Sequence, residues 1–226
     1  MNFTLSSMWG HMGPVAQLIV IVMGIMSVVS LLILAERVLV FRASRRHSRR
    51  FAAEMGTLLS SGDFESAVDA KAGVDVGYLG RTIRAGLTAY RSSATDSREE
   101  AMESVARGLE RQAQREVQSL KRGLGHLATV ASTAPFVGLL GTTIGIVTAF
   151  QEMGAGGAGG IGTISTGISE ALVTTAFGLL VAIPAVMGYN SLQSWVDARA
   201  VDLSEASNEF LDAAGRALKR ARSVAG

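Results

Sequence analysis

The chain has 226 residues, 48% of them hydrophobic, with a formal net charge of only +2 and a mean hydropathy of +0.33. Long uncharged runs at that hydropathy argue against an ordinary soluble domain and for a bilayer as solvent. The absence of cysteine excludes disulfides and thiolate metal sites, and 26 glycines against 6% aromatics suit closely packed helices in lipid.

In chain order, a short N-terminal segment (1–14) precedes the first uncharged run, residues 15–35, which is long enough for the ~20 residues that a hydrocarbon core requires. Its length, and the lack of any Lys or Arg before it, argue against a cleaved signal peptide. Residues 36–126 read as a cytoplasmic helical insertion. Within it, residues 51–71 suggest short helices broken near Ser60-Ser61-Gly62-Asp63, 76–90 a further amphipathic piece, and 92–97 a polar turn. Ser97 with Glu100 three positions on is a capping box, the signature of a helix start. Met102, Val105, Leu109, Ala113, Val117, Leu120 and Leu124 then recur at helical spacing, and Glu103 with Arg107 adds an i,i+4 pair on the polar face. With no proline before Pro135, this helix is expected to run unbroken from Glu100 through the second span to Phe150, roughly 75 Å at 1.5 Å per residue. The second span is residues 127–151, a Gly-rich loop covers 152–162, the third span is 163–194, and residues 195–226 continue it as a cytoplasmic C-terminal helix.

Basic residues set the orientation. Arg37, Arg42, Arg45, Arg46, Arg49 and Arg50 follow the first span, Arg111, Arg115, Lys121 and Arg122 precede the second, and Arg199, Arg216, Lys219, Arg220 and Arg222 follow the third. The segments before the first span and between the second and third have none. The positive-inside rule puts the N-terminus outside and the C-terminus in the cytoplasm, as an odd number of spans demands. The fold class expected is therefore an all-α membrane protein with three transmembrane helices and long cytoplasmic helical extensions. The basic cluster at 45–50 reads as lipid-headgroup contact rather than a nucleic-acid patch.

Spans two and three are rich in small and hydroxylated residues. Gly141 and Gly145 form a small-xxx-small pair that allows close helix approach. A single threonine in such a helix commonly bonds back to its own backbone, whereas hydroxyls gathered on one cavity, with Thr142, Thr143 and Thr174 as candidates, can solvate an ion or a water chain. Glu170 is the only charge in the third span, and burying a carboxylate in a bilayer costs on the order of 3 kcal/mol. Two placements are open for it: in a cavity, or at the outer mouth near a favourable helix N-terminus. Thr174 lies one turn on along the same face, and Thr175 is about 140° further round the helix than Glu170. Pro135 and Pro184 each remove a backbone donor within a span and make a kink or a hinge. Gly154, Gly156 and Gly159 match G-x-G-x-x-G, but a loop between membrane spans is the wrong context for a dinucleotide, so a flexible turn is expected. His11, His47 and His126 show no metal-ligand spacing, and there is no nucleophile–base arrangement, so neither an enzyme nor a cofactor is expected.

The run ASTAPFVGLLGTTIGI (131–146) resembles the second-span signature of the MotA/TolQ/ExbB proton channel family. GISEALVTTAFGLLVAIPAV (167–186), continued by Tyr189 and Asn190, is similarly like its third-span signature. Three spans suit the TolQ/ExbB branch, since flagellar MotA-type stators have four. The resemblance implies a homopentamer in the bacterial inner membrane. It surrounds the single-span helices of a dimeric partner of the TolR, ExbD or MotB kind, whose intramembrane Asp carries the proton. It places the pore threonines on Thr142 and Thr175 and the span-three glutamate on Glu170, and it matches Pro135 and Pro184 to family positions. Hydroxyls there would give the weak, reversible contacts of an ion path, and they serve proton or sodium alike. The load such a motor drives is left open among outer-membrane integrity, TonB-type uptake and gliding motility. The competing class is a non-conducting scaffold, which would tolerate Glu170→Gln and Thr175→Val.

Overall fold

The computed structural model describes residues 9, 12–61, 76–93, 97–154 and 160–225. Among these there is no strand, and the chain forms helices α1 (Pro14–Ser61), α2 (Gly77–Ser92), α3 (Arg98–Lys121), α4 (Leu124–Gly154) and α5 (Gly160–Ala225). Segments of α1, α4 and α5, at Pro14–Ala53, Leu124–Gly154 and Ile164–Lys219, are long and apolar enough to cross a membrane. The protein is thus an all-α, multi-pass membrane protein. It divides into two compact units, one of residues 1–36 and 123–192, the other of 37–122 and 193–226.

The first unit packs the beginning of α1 against α4 and the first half of α5. Ile19, Met23, Val130, Ala134, Val181, Ala182 and Ala185 form its core, with Val137, Ile144 and Phe177 laid against it. Large apolar side chains also point outward: Leu32 is 65% exposed, Phe136 70% and Leu180 67%. In water that surface would be costly, but in lipid an apolar exterior is what a spanning helix requires.

The second unit is a bundle of the end of α1, α2, α3 and the end of α5. Its core is Phe51, Val76, Ile83, Leu87, Val105, Leu109, Phe210, Ala213 and Ala214. Of the sequence-predicted stripe on α3, Val105, Leu109 and Leu120 are buried and Met102, Ala113 and Val117 half-buried. The capping box is present: Ser97 Oγ accepts from the Glu100 amide at 3.3 Å, and Glu100 Oε2 accepts from the Ser97 amide at 3.1 Å. Arg107 pairs with Glu103 on the polar face. Buried Glu116 is held by the Arg81 guanidinium through two bonds of 2.8 and 2.7 Å, and accepts a third from Gln112 at 2.8 Å. Phe41 stacks on Trp195 with centroids 4.1 Å apart, Arg199 lies over the indole, and the Tyr78 hydroxyl donates to Asp202 at 3.1 Å. Burial pushes the Tyr78 phenol above its ordinary range, although the neighbouring Arg199 works against that.

Two expectations need correction. The helix from Glu100 to Phe150 is not continuous. It ends at Lys121, Arg122 is extended (φ −56°, ψ 132°), Gly123 takes a left-handed φ of +83°, and α4 begins at Leu124. Only glycine adopts that φ without strain, so the breaker here is a glycine and not the proline the sequence reading looked for. Nor do short helices begin at Phe51. α1 continues through it to Ser61, because the Phe51 ring is buried in the second core and Gly56 alone is too weak a breaker to stop the helix. The supposed break at Gly62-Asp63 and the segment to 71 lie outside the described residues, as do Gly156 and Gly159 of the Gly-rich loop.

Candidate functional site in the α4–α5 pair

α4 and α5 meet along a seam of small residues. A Cβ added to Gly138 would lie 2.9 Å from the Thr174 carbonyl, one on Gly141 2.4 Å from Thr174 Oγ1, and one on Gly145 2.9 Å from the Ala171 Cβ. From the other side, a Cβ on Gly178 would lie 2.7 Å from the Ala134 carbonyl. The predicted small-xxx-small pair Gly141/Gly145 is therefore part of a longer interface. Sequence reading missed Gly138, Gly167 and Gly178 as its members, though the spacing 134, 138, 141, 145, 149 carries the signal. Pro135 and Pro184 lie inside α4 and α5, which continue past them.

Thr174 belongs to this seam and is fully buried. Its hydroxyl is shared between the Ala171 carbonyl of its own turn at 2.7 Å and the Gly138 carbonyl across the seam at 3.2 Å. It cross-links α4 to α5 and fills the space that Gly141 leaves open.

Thr142 and Thr175 each follow a seam residue by one position, Gly141 and Thr174 respectively. One residue turns a helix by about 100°, and in two antiparallel helices that step carries both side chains to the same flank of the pair. The opposite flank is the one that α1 covers, since Val137, Ile144, Phe177 and Val181 reach the Ile19 and Met23 cluster. Thr142 and Thr175 thus share one level and one flank, away from α1. Their hydroxyls differ. Thr142 Oγ1 donates back to the Leu139 carbonyl at 2.8 Å, a carbonyl that Thr143 Oγ1 also uses at 3.0 Å. The lone pairs of both stay available as acceptors. Thr175 Oγ1 is buried and has no partner among the described residues. A buried hydroxyl without a partner carries a desolvation cost, which a bridging water, an ion or another chain's polar group would relieve.

Glu170 is not on that flank. Its Oε1 accepts the backbone N–H of Gly13 at 2.5 Å, joining α5 to the residue before α1. It also lines a cleft of about 700 Å³ whose walls include Gly13, Gly145, Thr148, Glu152 and Thr166. Within that cleft the Glu170 carboxylate faces the N-terminus of another helix, α1.

Against known proteins, the profile of the MotA/TolQ/ExbB proton channel family matches residues 77–205, which include Thr142, Glu170 and Thr175. The Tol-Pal system protein TolQ of Haemophilus influenzae is 39% identical over 115 residues, covering 51% of this chain and 50% of that protein. TolQ of Pseudomonas aeruginosa is 46% identical over 89 residues, covering 39% of this chain and 38% of its own length. These alignments span half or less of the relatives they match. A longer one, with the biopolymer transport protein ExbB of Salmonella typhimurium, covers 91% of this chain and 85% of that protein at 29% identity. The profile takes in more than half of the sequence and both hydroxyl-bearing spans, so the chain belongs to the MotA/TolQ/ExbB proton channel family, on its TolQ/ExbB-like side.

Proposed function

We propose that the chain is the channel-forming stator subunit of an inner-membrane motor, coupling the proton motive force to mechanical work across the cell envelope. The observation that carries this reading is the juxtaposition of Thr142 and Thr175 on the uncovered flank of the α4–α5 pair, with the Thr175 hydroxyl buried and unpartnered. In a ring of five such subunits that flank faces a central pore. The pore holds a dimer of single-span helices of the TolR, ExbD or MotB kind, whose intramembrane Asp takes up and releases the proton. The N-terminus lies outside and the basic C-terminal helix in the cytoplasm. The threonines offer a path rather than a tight site: hydroxyl oxygens bind a hydronium or a bridging water weakly and let it leave. One charge moved through 100 mV releases about 2.3 kcal/mol, enough to bias a rotation step if passage is coupled to movement. The chain performs no enzymatic reaction in this scheme. The TolQ and ExbB relatives support this stator reading alike, with outer-membrane integrity, TonB-type uptake and gliding motility as the loads it could drive.

The test is mild-detergent extraction from native membranes, mass spectrometry of the intact complex, and proton uptake by the complex in proteoliposomes. Five copies of this chain with two of a single-span protein bearing an intramembrane Asp are expected, with uptake abolished in Thr175→Val and assembly retained. A monomer or dimer without such a partner, or a Thr175→Val complex that conducts normally, would favour the scaffold and refute the channel.

A further inference from the structure

α1 starts without the usual local help. Gly13 supplies the carbonyl for the first intrahelical bond, from the Gln17 amide at 3.0 Å. It is therefore the capping position, but it has no side chain, and the first turn carries no acidic residue. Pro14 has no N–H to satisfy, so the donors without an intrahelical partner at this end are the amides of Gly13, Val15 and Ala16. In a capping box, a glutamate three residues on returns to bond the amide of the capping residue. Here Glu170 does so from α5, 157 residues away. Its charge also sits at the positive end of the α1 peptide dipoles, where an anion is favoured. On α5, Glu170 is about 140° from Thr175, so the same side chain is turned away from the Thr142–Thr175 flank.

We propose that Glu170 is a positioning residue that pins the N-terminal end of α1 to α5 by capping Gly13, and so holds the wall of the cleft beside the ion path. This rests on reading the α4–α5 flank as that path, and it makes the span-three glutamate an anchor beside the path rather than a proton relay within it. The other acidic group on the cleft is Glu152 of α4. The anchor needs an acceptor at the Gly13 amide, not a titrating proton. A glutamine, whose carbonyl oxygen reaches the same N–H, should therefore substitute where an alanine cannot.

The experiment is hydrogen–deuterium exchange on the intact complex from native membranes, read on peptides at the start of α1, with proton uptake in proteoliposomes measured in parallel. Glu170→Ala is expected to speed exchange there roughly tenfold to a hundredfold, the loss that one hydrogen bond to a charged group implies, and to reduce uptake. Glu170→Gln is expected to keep the protection and rescue the uptake. If Glu170→Ala does not assemble, Glu170→Asp is the second variant: it keeps the charge, withdraws the carboxyl by one methylene, and is expected to loosen the same peptides. Unchanged protection in Glu170→Ala or Glu170→Asp overturns the anchor. So does a Glu170→Gln complex with α1 protected but uptake lost, because that would identify a titrating relay. Thr175→Val separates the two proposals: its uptake tests conduction, while exchange at the start of α1 tests the anchor.

Discussion

Gly178→Ala is the sharpest test of the α4–α5 seam. The new methyl would lie 2.7 Å from the Ala134 carbonyl, about 0.7 Å inside ordinary van der Waals contact, and what it meets is backbone, which no rotamer change can move aside. The helices must part by roughly that amount. A gap of 0.5–1 Å forfeits about a quarter to a half of each dispersion contact along the seam. The shared bond from Thr174 to the Gly138 carbonyl, already 3.2 Å, would lengthen beyond hydrogen-bonding range, at about 1 kcal/mol. Overpacking of this kind costs about 1–3 kcal/mol, offset by up to about 1 kcal/mol of helix propensity gained on replacing glycine. The expected net loss is about 1–2 kcal/mol. Gly24→Ala is the matched control, because nothing lies within 4 Å of its added Cβ and only the propensity term remains. Thermal unfolding of both variants in lipid nanodiscs, followed by near-ultraviolet circular dichroism, is the assay. If Gly178→Ala unfolds at or above the temperature of Gly24→Ala, the seam is not close-packed as described.

Two further expectations concern the second unit. Arg81→Met would leave Glu116, 4% exposed, with a buried carboxylate and only the Gln112 amide as partner. Because the Arg81 side chain is itself 42% exposed, solvent screening should bring the loss below the roughly 3–5 kcal/mol of a fully buried pair, to about 2–3 kcal/mol, with Glu116→Gln costing less; thermal unfolding of the two variants checks the order. At the start of α3, hydrogen bonds from Ser97, its hydroxyl first and then its amide, hold the Glu100 carboxyl below the usual carboxylate range. A depressed folded value means the cap is fully stabilising above the unfolded carboxylate pKa and is lost as pH falls through the folded one. Protection of the amides at 97–101 against exchange, relative to the intrinsic rate, should fall in that acid range, and Ser97→Ala, which keeps only the amide bond, should weaken the pH dependence.

What the sequence alone determined follows from short-range rules. Three uncharged runs of spanning length, the basic residues flanking them and the Ser97–Glu100 cap need nothing beyond composition and spacing, because bilayer solvation and helix capping act on a segment by itself. The spacing also gave the 140° between Glu170 and Thr175, but not which of them faces α1, because a helix rotates freely about its axis until it packs. Tertiary structure decided that. Gly138, Gly141 and Gly178 brought α4 and α5 to close contact and turned Thr174 into a packing and hydrogen-bonding residue of the seam. The Gly13 amide drew Glu170 to the α1 side. The break at Gly123 lay equally out of reach of local rules: a glycine inside a helical pattern can be tolerated or can end the helix, and its left-handed φ of +83° shows which occurs here.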